Sequence, residues 1–111
     1  TLESFCEMIA RTADLMGPAQ IGIGSDLCHD QPDSIVEWMR TGRWTKTIDY
    51  GEGSAAAPGF PPMMDWYADN RHFGNIADGL AKTGLSSSEI DCIMGENWHR
   101  FFAESFGRTS K

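Results

Sequence analysis

The sequence is short of positive charge. Nine Lys and Arg stand against sixteen Asp and Glu, for a formal net charge of −7 over 111 residues. The nine cations are scattered, so no surface of the chain offers the footprint of a phosphate backbone or an anionic membrane. Nucleic acid is therefore not an expected partner. No apolar run approaches the about 20 residues that span a bilayer, and no basic stretch followed by an apolar core opens the sequence. A soluble segment with no membrane partner is expected. Cysteine is sparse: Cys6, Cys28 and Cys92 are odd in number and widely spaced, which suits reduced thiols better than a disulfide framework and favours the cytoplasm. There is no HExxH or HxH spacing around His29, His72 or His99, and no third glycine completes a dinucleotide fingerprint after Gly22-x-Gly24. No internal repeat or low-complexity tract appears. The sequence starts at Thr1 without an initiator methionine, and it is expected to be an excerpt of a longer polypeptide.

What is present suffices for one domain or part of one: 41% of residues are hydrophobic, with four Trp and six Phe. From Leu2 to Met16 the residues Leu2, Phe5, Cys6, Ile9, Ala13 and Met16 keep the spacing of one helical face, and Gly17-Pro18 ends it. A strand is expected over residues 19–25, making helix, tight turn and strand the αβ half of a βαβ repeat. A second helix is expected from a cap at Asp30 or Gln31, with Pro32 in its first turn, to Gly42. Residues 43–61 show no sustained period and read as a long loop, packed through Trp44, Ile48, Tyr50 and Phe60. A short helical turn is expected from Pro62 to Tyr67, then a helix from Phe73 to Lys82 stopped by Gly84. Ser86-Ser87-Ser88-Glu89 is a capping box flanked by the staple pair Leu85 and Ile90, and that helix is expected to end near Gly95. The last helix carries Trp98, Phe101, Phe102 and Phe106 on one side, and residues 108–111 form a tail.

The chemistry-bearing stretch is Ile21-Gly22-Ile23-Gly24-Ser25-Asp26. With a strand period of two, the isoleucines share one face, while Gly22, Gly24 and Asp26 share the other. A glycine face leaves room for something bulky, and an acid at the carboxyl end of a parallel strand stands where such proteins build their sites. The alternative is that the glycines only permit close packing and Asp26 caps a loop. Cys28 and His29 adjoin Asp26, but adjacent residues rarely both reach one metal ion, and three or four converging ligands are needed. His72 and His99, near helix starts, read as surface or capping groups. Trp38, Trp44, Trp66 and Tyr67 are either pocket walls or core. Asn97 is expected to organise the start of the last helix.

The stretch just quoted, preceded by an amphipathic helix, resembles the last barrel strand of the membrane (renal) dipeptidase family of zinc metallopeptidases. The sequence from Ile76-Ala77-Asp78-Gly79-Leu80 through Gly84-Leu85-Ser86 and Glu89-Ile90 to Ile93-Met94-Gly95-Glu96-Asn97-Trp98 and Arg100 is similar to that family's closing helices. The resemblance implies an α/β fold, the C-terminal part of a (β/α)8 barrel, largely helical here with one barrel strand near residues 19–25, and residues 1–107 as that segment. It implies two zinc ions holding a hydroxide that attacks the amide of a dipeptide, with Asp26 as the last-strand acid that assists proton transfer. The family's His-x-Asp, bridging Glu and two later His have no counterpart here, and a barrel needs about 250 residues, so no tightly bound zinc is expected on this chain alone. The family often places an acid and a glycine soon after that Asp, where this chain has Leu27-Cys28-His29-Asp30. A small peptide is the expected substrate of the whole protein. A homo-oligomer, or association through exposed barrel surfaces, is the expected assembly. The contrasting expectation is a non-catalytic fragment or interaction module that lacks the metal site.

Overall fold

A computed structural model describes residues 1–27, 30–41 and 59–107. The described residues are mostly helical, and no strand is assigned among them. The chain divides into two units, Thr1–Ser25 with Met64–Lys111, and Asp26–Met63.

In the first unit, α1 spans Leu2–Met16. Thr1 caps it: its hydroxyl accepts from the Ser4 N–H at 3.1 Å, and the Ser4 hydroxyl bonds back to Thr1. Cys6, Ile9 and Ala13, spaced three and four apart, are its buried stripe. The helix stops at Gly17, whose φ of 84° a side chain would resist, and whose N–H closes the last turn on the Ala13 carbonyl at 2.8 Å. The buried stripe packs against α3, Phe73–Leu80, which contributes Ile76, Gly79 and Leu80. A Cβ at Gly79 would stand 2.6 Å from the Cys6 sulfur and 3.2 Å from Leu2. Glycine is what lets these two helices meet. α3 ends at Leu80, two residues short of the expected Lys82, and a turn carries the chain to Gly84.

The capping box forms as its spacing predicts. Ser86 accepts from the Glu89 N–H, and the Glu89 carboxylate accepts from the Ser86 N–H at 2.8 Å and its hydroxyl at 2.7 Å. These two bonds hold the Glu89 carboxyl below its ordinary range, so their support of the helix is present above that range and is lost as pH falls through the lowered value. α4, Ser87–Asp91, does not end at Gly95. It widens into a π turn over Cys92–Glu96 and continues as α5, Asn97–Phe106. A glycine within a run of otherwise good hydrogen bonds is tolerated when the backbone keeps its donors paired, and here the Asn97 N–H reaches the Cys92 carbonyl. The core is completed by Ile90, by Ile93, which has no exposed surface, and by Tyr67.

Two further expectations are corrected, and one open alternative is decided. The strand over residues 19–25 is absent: Pro18–Gln20 is a 3-10 turn, and residues 21–27 have no regular structure, although Ile21 is extended at φ −110°, ψ 136°. A strand is defined by a paired neighbour, and among the described residues none lies alongside. The turn of helix at Pro62–Tyr67 is replaced by an isolated bridge between Met64 and Tyr67. Trp66 and Tyr67 belong to the core side rather than to a pocket: Trp66 lies on Phe5 with ring centroids 5.4 Å apart, and Tyr67 is 5% exposed. The Tyr67 hydroxyl donates to Asn70 at 2.9 Å, and Asn75 donates to the Trp66 carbonyl at 2.9 Å, so this aromatic corner has its polar ends satisfied.

In the second unit, α2 spans Asp33–Thr41, starting one residue after Pro32, whose carbonyl accepts from the Ile35 N–H at 3.0 Å. Val36 is buried there, and Trp38 is 63% exposed. Gly59, at φ 96°, lies against the Asp33 carboxylate; a Cβ would come 2.7 Å from its Cγ. The expected loop and its Trp44, Ile48 and Tyr50 fall mainly outside the described residues, as does the tail.

The cysteines give a test of this packing. Cys6 is 1% exposed, its thiol pointing at the Ile76 carbonyl at 3.8 Å; burial pushes its pKa up, and the Lys82 ammonium offsets this only in part. A thiol that is both hidden and protonated is a poor nucleophile. Native iodoacetamide labelling followed by peptide mass spectrometry should modify half-buried Cys92 and spare Cys6 until urea unfolds the chain. Equal labelling of both in the native state would contradict the α1 and α3 packing.

Candidate functional site

The segment that carries the candidate acid is held from one side by α5. Asn97 is 6% exposed, and its amide donates one proton to the Pro18 carbonyl at 2.7 Å and the other to the Ile21 carbonyl at 2.8 Å. The Trp98 indole N–H donates to the Ile23 carbonyl at 3.1 Å, and the Arg100 guanidinium donates to the Ala19 carbonyl. Four backbone acceptors over six residues are thus satisfied by three side chains of one helix, at about 0.5–1.5 kcal/mol for each neutral bond. This arrangement takes the place of a sheet ladder. Asn97 Oδ1 is buried and accepts no hydrogen bond among the described residues.

The room left by the first glycine is filled by the chain itself. A Cβ at Gly22 would stand 2.7 Å from Trp98 Cε2 and closer still to its Nε1, while nothing lies within 4 Å of the corresponding position at Gly24. The bulky group at Gly22 is therefore the indole, and only the Gly24 side stays open. A cavity of about 140 Å³ lies beside this contact, between Ala19, Gln20, Ile21 and Gly22 on one wall and Asn97 and Trp98 on the other.

Asp26 begins the second unit. It is exposed and adopts φ 47°, the left-handed region, as does Asp30 at φ 54°. Asp and Asn visit that region more readily than other side chains, but the conformation still costs on the order of 1 kcal/mol and persists where something determines it. The two left-handed acids bracket Leu27-Cys28-His29. Cys28 and His29 themselves lie outside the described residues.

The described residues do not fit zinc: no three His, Cys, Asp or Glu among them come together in a way that could hold a metal ion. His72 closes a local turn, its Nδ1 accepting from the Ala68 N–H at 3.1 Å, and makes no capping bond to α3, while His99 is exposed on α5. A second, larger opening of about 680 Å³ runs between α1 and α3, lined among others by Glu3, Cys6, Arg11, Gly79 and Lys82.

Sequence reasoning placed Asp26 after a glycine-cleared run and missed Asn97, Trp98 and Arg100 as the groups that hold that run. The available signal was Gly22 itself, paired with an Asn-Trp step on a helix that has to pack somewhere. Asn97 was expected to organise its own helix, and it instead ties that helix to the chain 76 and 79 residues earlier.

No family model matches the chain, and no curated protein or solved structure matches it either.

Proposed function

We propose that this chain is the C-terminal segment of a zinc-dependent dipeptidase of the renal dipeptidase type, a (β/α)8 barrel in which residues 19–25 serve as the last strand and Asp26 as the last-strand acid. The ordered resemblance of residues 21–26 and 76–100 to that family supports the reading. The observation that carries it is Asp26 itself, exposed and in the left-handed region directly after a glycine run whose carbonyls α5 anchors.

A water that attacks an amide must lose a proton, and the departing amine must gain one. A carboxylate within hydrogen-bond reach can take the first and return it to the second. Asp26 is the residue of this chain assigned to that transfer, with a small peptide as substrate. The residues described here do not hold the family's zinc, so its ligands are assigned to the remainder of the polypeptide, and no step is derived through it.

A second reading, a non-catalytic interaction module, is favoured by a different observation: Trp98, Phe101, Phe102 and Phe106 leave a broad aromatic face exposed on α5.

Dipeptide hydrolysis and zinc content, measured on the 111-residue chain and on a longer polypeptide that includes it, test the first reading. The expected outcome is turnover by the longer polypeptide, and neither turnover nor two tightly held zinc ions on the chain alone, since one carboxylate cannot fix a binuclear site. A longer polypeptide that hydrolyses no dipeptide, or a chain that retains two zinc ions through dialysis, overturns it.

A further inference from the structure

We infer that Asn97 is a positioning residue for the proton transfer assigned to Asp26: its amide fixes the course of the main chain that leads to that carboxylate. The inference rests on the dipeptidase reading.

A single planar amide holds two carbonyls here. Asn97 donates one proton to Pro18 at 2.7 Å and the other to Ile21 at 2.8 Å, so the 3-10 turn at Pro18–Gln20 and the extended Ile21 after it are set from one point. Ionised aspartate has the same shape and no proton to give, serine and threonine have one donor, and glutamine is a methylene longer. The acceptor half of the amide contributes nothing comparable, since Asn97 Oδ1 takes no hydrogen bond among the described residues. Asparagine suits this place through its two donors.

Trp98 and Arg100 each add one bond, to Ile23 and Ala19, but both side chains are exposed, and water can replace an exposed donor. Asn97 is 6% exposed, and water has no ready route to the place of a buried donor. Its loss is the one that solvent does not make good. Among the described residues no strand is assigned that could hold residues 19–25 instead. The hold ends at Ile23, and Asp26 follows three residues along the chain. Proton transfer requires hydrogen-bond reach, and a misplacement of about 1 Å can cost about 100-fold in rate. A looser course for residues 18–23 therefore lowers the rate through Asp26 and leaves substrate binding in place.

Asn97→Ala and Asp26→Asn, singly and together, in a longer polypeptide that includes this chain and hydrolyses dipeptides, test this as a double-mutant cycle. Asn97→Ala is expected to lower kcat about 10- to 100-fold while KM changes less than about threefold. In the Asp26→Asn background, where no proton transfer is left to aim, it should cost less than about threefold more, whereas a role confined to stability would cost the same factor in both. Should Asn97→Ala not fold, Trp98→Phe, which keeps a ring over Gly22 and loses the bond to Ile23, carries the same cycle with an expected fall of about 3- to 10-fold. In the 111-residue chain, nuclear magnetic resonance should show the amide signals of Gly24, Ser25 and Asp26 shifted or broadened by the variant used, and those of Ile9 and Leu80 unmoved. Unchanged kcat, equal losses in the two backgrounds, or unmoved signals at residues 24–26 overturn the inference and leave Asp26 its role. A turnover that Asp26→Asn does not lower overturns instead the dipeptidase reading, and the role of Asn97 falls with it.

Discussion

Asp26→Asn, introduced into a polypeptide that contains this segment and hydrolyses dipeptides, should lower kcat by ~10²–10⁴. The amide keeps the volume of the carboxylate and much of its hydrogen bonding, and asparagine tolerates the left-handed backbone at φ 47° as well as aspartate does, so the loss is of proton transfer and not of local structure. Zinc content should change much less, because Asp26 is not proposed to be a main ligand. KM should move little if the residue acts after binding. Steady-state kinetics beside elemental analysis reads all three. Unchanged turnover would return Asp26 to the simpler role of a loop acid after a close-packed glycine run.

Leu80→Ala should cost 2–5 kcal/mol, the usual range when a fully enclosed leucine is cut back and a cavity remains. Leu80 and Ile93 have no exposed surface, and Leu80 ends the helix that packs on Cys6, Ile9 and Ala13. A domain of this size is stable by about 5–15 kcal/mol in total, so one substitution removes a large part of the margin. A urea titration measures it through a lower midpoint at an unchanged slope. A loss below about 1 kcal/mol would mean that the contact between α1 and α3 collapses around the gap and is not a fixed core.

The helices were the most legible part of the sequence, because each carries a local cause. The apolar stripe of α1, the Gly17 stop and the Ser86 capping box are all written within a few residues, and α1 and the start of α4 follow them. The run after Gly95 was misread for a related reason: a glycine is a local stop signal, and the longer-range packing of Ile93 and Asn97 overrides it through a π turn. The segment 19–25 was misread for the opposite reason. Its alternation is a strand pattern, but a strand also needs a partner, and here side chains of α5 take up its carbonyls. At the candidate site, Asp26 was visible as an acid after glycines. Trp98 opposite Gly22 was not, because the two are 76 residues apart and neither alone announces the other.

The π turn at Cys92–Glu96 also sets the phase of everything that follows it. An α-helix advances about 100° per residue, and the wider turn holds one residue more than an α turn would, so α5 is rotated by about that angle from where an unbroken helix would carry it. In this phase the Asn97 amide faces Pro18 and Ile21 and the Trp98 indole covers Gly22. One residue fewer between Cys92 and Glu96 would leave the sequence of α5 untouched and its helicity intact, yet turn those donors away from the carbonyls they serve. The grip on residues 18–23 is therefore encoded in a length as much as in the identity of Asn97 and Trp98, and a comparison that tolerates a single gap there would miss what the gap undoes.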